Sequence, residues 1–127
     1  MAPTLHQTFL MVSDVEASTA FYEDALGLTV AERGDRSTAF DTGGAELMIE
    51  QDFDEAELAA FGLEPPGDDR GDGVIVVIEV DDVDAVYERA SAADAAILLE
   101  PTDVDWGRRL CLVRDPDGYV VEVSRPI

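Results

Sequence analysis

Two stretches of this chain, TFLMVSDVEASTAFY (Thr8–Tyr22) and VIVVIEVDDVDAVY (Val74–Tyr87), read in the same order: an apolar strand, an acidic turn, a helix. Setting Val12–Ala17 on Val80–Ala85 places Asp14 on Asp82, an offset of 68 residues. A repeat of this length means a duplicated structural unit, and it changes the fold expected of the whole chain. At the same offset Gln7 falls on Ile75, a polar residue against an aliphatic one. The second copy therefore lacks a chemical group that the first one carries.

Working outward, each copy predicts strand, helix, strand, strand, strand. In the first, the strand over 5–13 leads to a helix over 15–26, capped by Asp14 and stopped by Gly27. Strands over 28–33, 38–41 and 46–51 follow, separated by Gly34-Asp35 and Gly43-Gly44. Residues 52–73 break the pattern with a short helix near 54–58 and an acidic, proline- and glycine-rich connector. The order then restarts with a strand over 74–80, a helix over 83–92 capped by Asp82, and strands over 96–99, 109–114 and 119–124. Asp115-Pro116-Asp117-Gly118 is a type I turn, with proline second and glycine fourth. The expectation is one α+β domain over 1–127, with a first βαβββ module at about 5–51, a connector at about 52–73 and a second module at about 74–126. Two half-covered sheets must bury apolar faces, and the other faces are expected to enclose a cleft.

The composition fits a globular chain of 127 residues, 46% of them hydrophobic. No apolar run reaches the ~20 residues of a spanning helix, and no basic-then-apolar leader opens the chain, so a cytoplasmic location without membrane contact is the expectation. Cys111, the single cysteine, reads as a small buried strand residue. Acidic residues number 29 against 8 basic ones, all arginine, for a formal charge of −21. Such a field repels a phosphate backbone and excludes nucleic acid as a partner. Spread along the chain, the acid describes a surface suited to salt-rich solvent and predicts a halophilic source.

Strand alternation sorts the residues by face. The aliphatic rows, Leu10 with Val12 and Val76 with Ile78 and Val80, belong under the helices. Gln7, Phe9 and Met11 then face the cleft, with Ile75, Val77 and Glu79 as their repeat partners. In the fourth strands, ELMIEQ and YVVEVS, the opposite rows carry Glu46, Met48 and Glu50, and Val120, Glu122 and Ser124. Matching these strands pairs Glu50 with Glu122. Interior carboxylates are costly unless paired, hydrogen-bonded or bound to a cation, which singles them out.

With FYEDALGL (Phe21–Leu28), Trp106-Gly107 and DPDGYVVE (Asp115–Glu122) in paired βαβββ modules, the chain resembles the vicinal oxygen chelate superfamily. This group holds glyoxalase I, bleomycin-resistance proteins, fosfomycin-resistance enzymes and extradiol dioxygenases. The resemblance covers nearly the whole chain. It implies the curved-sheet cleft fold, a homodimer and a small-molecule ligand. It also implies Gln7, Glu50 and Glu122 as metal ligands, with Glu122 as catalytic base. The histidine that the pattern expects in the second module falls on Ile75, which cannot coordinate, and the chain's only histidine, His6, lies on the opposite strand row from Gln7. An extradiol dioxygenase needs two histidines and is excluded.

Three oxygen ligands suit a divalent ion (Mg or Mn before Ni, Co or Zn). Phe9, Met11, Met48, Ile75 and Trp106 are candidates for an apolar substrate floor, and Arg109, or its neighbour Arg108, for holding a substrate anion. Two functions follow: a glyoxalase-like, metal-dependent lyase or isomerase acting on a small oxygenated substrate, or a metal-free sequestering protein of the bleomycin-resistance type.

Overall fold

The structure is a computed structural model that describes residues 2–68 and 70–127. Its elements run β1 (Gln7–Val12), α1 (Val15–Ala20), β2 (Thr29–Arg33), β3 (Ser37–Asp41), β4 (Glu46–Gln51), α2 (Glu55–Phe61), β5 (Ile75–Glu79), α3 (Val83–Ala92), β6 (Ala96–Val104), β7 (Arg108–Arg114) and β8 (Val120–Pro126). They build two four-stranded sheets with orders β1-β4-β3-β2 and β5-β8-β7-β6. In each, the first strand pairs parallel with the fourth and the remaining pairs are antiparallel. This is an α+β fold of two βαβββ units, as the repeat requires.

The helix starts follow their caps. Asp14 Oδ1 accepts from the N–H groups of Glu16 and Ala17, and Asp82 Oδ1 accepts from Ala85 N–H. Where one helix over 15–26 was expected, α1 continues into a π-helical turn, Phe21–Ala25, closed by Leu26 N–H on the Phe21 carbonyl at 3.0 Å. The wider turn packs Phe21 edge-on to Tyr22, with ring centroids 5.1 Å apart. Gly27 then ends the helix at φ +80°, where a side chain would be strained. β6 runs to Val104, past the expected Leu99, and carries Pro101; it is an edge strand, with register breaks at Leu99, so the missing N–H costs no ladder bond.

One core serves both units. Leu10, Val12, Phe40, Leu47 and Ile49 from the first sheet join Val113, Val121 and Val123 from the second, with Tyr22, Leu26, Val83, Val86 and Ala90 from the helices. Cys111 is buried there, and burial pushes its thiol up to about 11. Polar contacts seal the seam at one end of β1. Tyr22 Oη donates to Asp115 at 2.7 Å, Tyr119 Oη to the Met11 carbonyl at 2.9 Å, and Ser13 N–H to Asp117. Arg70, from the connector, adds a two-pronged pair with Asp52 at 2.7 and 2.8 Å and a bond to the Met11 carbonyl. Gly71 lies so close to the Gly118 carbonyl and Tyr119 Cα that a Cβ would clash with both.

The sheets do not close. The faces opposite the core stay open, with Phe9 at 40%, Ile75 at 55% and Val77 at 57% exposure. The shared core buries the aliphatic rows, and the other rows are left as the open faces of the two sheets, with Phe53 set against Phe9 on the first.

Candidate functional site: the open sheet faces

Alternation assigned the faces correctly. On the first sheet, Leu10, Val12, Leu47 and Ile49 are buried, and Gln7, Phe9, Met11, Glu46, Met48 and Glu50 share the other side. Parallel pairing sets Gln7 against Glu46, Phe9 against Met48 and Met11 against Glu50. The Gln7 amide nitrogen donates to Glu46 Oε2 at 2.6 Å, a charge-assisted bond that commits its orientation. Phe9 meets Phe53, at a centroid distance of 6.0 Å, and Phe53 meets Phe61 of α2 at 5.8 Å. Phe53 and Phe61 lie outside the repeat, so the alternation pattern could not place them beside this face.

On the second sheet the row opposite the core holds Ile75, Val77 and Glu79 of β5, Val120, Glu122 and Ser124 of β8, and Leu110, Leu112 and Arg108 of β7; of these Leu110 and Ser124 are buried and the rest are open or half-buried. Glu122 lies between Val77 and Leu112, two apolar neighbours, and has no hydrogen-bond or ion-pair partner among the described residues. Ser124 is fully buried beneath Arg108, whose Nη2 donates to Ser124 Oγ at 2.9 Å and to Glu79 Oε1 at 2.6 Å.

Register corrects one sequence expectation. Gln7 pairs with Glu46 while its repeat partner Ile75 pairs with Val120, so the fourth strands match as Glu46 with Val120. Met48 therefore corresponds to Glu122, and Glu50 corresponds to Ser124. The match of ELMIEQ to YVVEVS sets Glu50 two residues out, because alternation has a period of two and a two-residue slip keeps every side chain on its face.

The proposed metal ligands are not brought together. Glu50 stands four residues along β4 from Glu46, the partner of Gln7, which is about 13 Å of strand. Glu122 belongs to the other sheet, and no hydrogen bond, ion pair or aromatic contact joins the two open rows among the described residues. Among those residues, too, no cluster of three His, Cys, Asp or Glu side chains could hold an ion. The positions equivalent by register are Gln7, Met48, Ile75 and Glu122, and thioether and alkyl groups there are poor partners for a hard cation. As disposed, the donors do not fit a shared divalent ion.

Arg109 is also corrected. It shares parity with the buried Cys111 and Val113, and its guanidinium binds Asp84, at the start of α3, and Asp103 at 2.8–3.0 Å. The pair holds the Asp84 carboxyl below the usual range. Arg108, one residue earlier, is the one on the open row; alternation from Cys111 carried that signal. Trp106 sits in the β6–β7 turn, 68% exposed, and forms no part of the floor around Phe9 and Met48. His6 is exposed.

Two concavities have volumes of about 550 and 570 Å³, and the second shares Ile75, Val77 and Glu79 with the open row of the second sheet. The first is between the π-helical turn and the end of α3, near Phe21, Asp24 and Ala93. The second follows β5, between Val76, Ile78 and Glu79 and the first unit's Leu5, Leu28 and Glu46. Gln7, Glu50 and Glu122 line neither of them.

With this geometry in place, comparison with known proteins decides the family. Residues 4–123 match the family described as the Glyoxalase/Bleomycin resistance protein/Dioxygenase superfamily. The chain belongs to that superfamily. A Nocardioides protein of this superfamily superposes with a TM-score of 0.75 at 25% identity, over 100% of this chain and 85% of that one. An Agrobacterium tumefaciens protein of unknown function shares the fold at a TM-score of 0.82, with 24% identity over 100% and 97% of the two chains. A Mycobacterium tuberculosis protein named "Putative glyoxylase CFP32" is 29% identical over 97% of this chain and 44% of its own length. The chain thus spans less than half of that relative. No described helix of this superfamily member is long and apolar enough to cross a membrane.

Proposed function

We propose that this superfamily member is a glyoxalase-like proton-transfer enzyme for a small carbonyl compound, working on the open face of the second sheet with Glu122 as the proton acceptor. One observation carries the reading. Glu122 is a half-buried carboxylate between Val77 and Leu112, with both oxygens uncommitted among the described residues, on a face that the fold leaves open. A carboxylate so placed can take a proton from the carbon beside a bound carbonyl, the C–H electrons moving onto the carbonyl oxygen to give an enolate. Where that carbon carries a hydroxyl, Glu122 returns the proton to the former carbonyl carbon while the hydroxyl proton passes to the enolate oxygen; the carbonyl has then moved to the neighbouring carbon and Glu122 is restored. The relatives' names support the same chemistry. Superfamily members commonly bind divalent metals, but Met48 and Ile75 stand where two ligands are needed, so no step here passes through an ion. Val77, Leu112 and the exposed Ile75 supply an apolar bed for the carbon skeleton, and a second copy of the chain is the natural cover for so exposed a face.

The test is solvent deuterium exchange, followed by NMR, into a panel of small 2-oxo and 2-hydroxy carbonyl compounds. The native protein is expected to label the carbon beside the carbonyl, Glu122→Gln to lose at least about a hundredfold in rate with its melting temperature kept, and chelator treatment to change nothing. Binding without exchange would replace this reading with sequestration; exchange lost on chelation would overturn the donor-set reasoning.

A further inference from the structure

We infer that Arg108 is the anchor for a substrate carboxylate, and that Glu79 occupies the carboxylate's place when no ligand is bound. The inference deepens the proton-transfer reading and rests on it for the role of Glu122; it names the substrate class as small oxo acids. Arg108 and Glu122 share one face of one sheet, since β7 and β8 pair Leu112 with Glu122 and Leu110 with Ser124. The guanidinium lies over Ser124, two residues from Glu122, which is about 7 Å along the strand. That span fits a molecule with a carboxylate at one end and an acidic C–H two or three bonds away.

The guanidinium is preset for this work. Both Nε and Nη2 donate to Ser124 Oγ, at 3.3 and 2.9 Å, and Ser124 is fully buried, so the plane of the fork is fixed. The arginine side chain is 27% exposed, whereas Glu79 is 65% exposed and holds it through a single contact at 2.6 Å. An exposed carboxylate of this kind is held weakly and exchanges for another. A ligand carboxylate binding arginine by two parallel bonds does better than Glu79's one. Nη1 has no partner among the described residues and is the second prong. The other cation of the row, Arg114, is turned back onto the Gly118 carbonyl at 2.7 Å, and Arg109 and Arg125 fall on the opposite parity. In a chain of net charge −21 an anion has few places to go, which makes a half-buried, oriented arginine beside a free carboxylate the specific one.

The probes are 2-oxobutanoate and its methyl ester, titrated by NMR into the full chain and into Arg108→Gln and Glu79→Gln. The native protein should bind the acid more tightly than the ester. Arg108→Gln should weaken the acid about tenfold or more and leave the ester unchanged. Glu79→Gln, at an exposed position that folding tolerates, should strengthen the acid by up to about fivefold and not the ester. Equal affinity for acid and ester, or a Glu79→Gln protein that binds the acid no better, overturns the inference. Acid binding that depends on Arg108 without any deuterium exchange upholds the anchor and removes the proton-transfer reading. Deuterium exchange into the acid, with an affinity for the acid that is indifferent to Arg108→Gln, does the reverse.

Discussion

Asp115 shows how one buried carboxyl can organise a junction. Its Oδ2 accepts from the Tyr22 hydroxyl, and its Oδ1 accepts from the N–H groups of Asp117 and Tyr119 at 2.9 Å each. Burial pushes the Asp115 carboxyl above the usual carboxylate range, while those three hydrogen bonds pull the other way; burial pushes the Tyr22 phenol up as well. Because the folded value is raised, the folded chain holds that proton more tightly than the unfolded one. The resulting contribution is complete below the ordinary carboxylate range and is lost as pH rises through the raised value. Asp115→Asn should therefore flatten this segment of the stability–pH curve, measured by urea melts, at a cost of about 1 kcal/mol or less. Asp115→Ala, which strands three donors, should cost about 2–3 kcal/mol. The DPDG run announced the turn, but its reach to Tyr22, 93 residues away in sequence, was not legible there. The candidate site followed the same pattern: alternation assigned Glu122 its face, whereas Arg108 and Arg109 were told apart by the strand register.

Among the elements, the connector is the surprise. Residues 65–73 read as an acidic linker, yet Arg70 is largely buried and binds Asp52 with both prongs, with Asp117 at 3.7 Å. It ties the end of β1 to the β7–β8 turn, where Gly71 admits the close backbone approach. Arg70→Lys keeps the charge and loses the planar fork, and is expected to cost about 1–2 kcal/mol in urea melts with faster proteolytic cutting between α2 and β5. Unchanged melting and cutting would mean that the strap bears no load. The strands and helices themselves were legible to within a few residues, since alternation and capping are local. The π-helical turn was not: Phe21-Tyr22 has the same helical spacing in either winding, and only the packing of the two rings against the core selects the wider one.

At the scale of the molecule, charge dominates. Arg33, Arg36, Arg70, Arg108 and Arg109 form ion pairs, but 29 acidic residues leave most of the negative charge uncompensated. Self-repulsion opposes the compact state and is screened by salt, so the melting temperature should rise by about 5 °C or more between 0.1 and 2 M KCl. A flat or falling profile by circular dichroism would show that the acid is neutral to stability, and with it would go the inference of a salt-rich habitat.

The sequence by itself determined the duplication, the α+β class, the caps and turns, and which row of each strand is buried, because each depends on spacing within one segment. It also marked Ile75 as the place where the second copy is aliphatic and the first carries Gln7. Only the tertiary structure decided that Glu50 is out of step with Glu122, that Gln7 is committed to Glu46, and that Arg108 and not Arg109 accompanies Glu122. The physical reason is that alternation has a period of two and is written along a strand, whereas register is set between strands by loop lengths and by packing across the core.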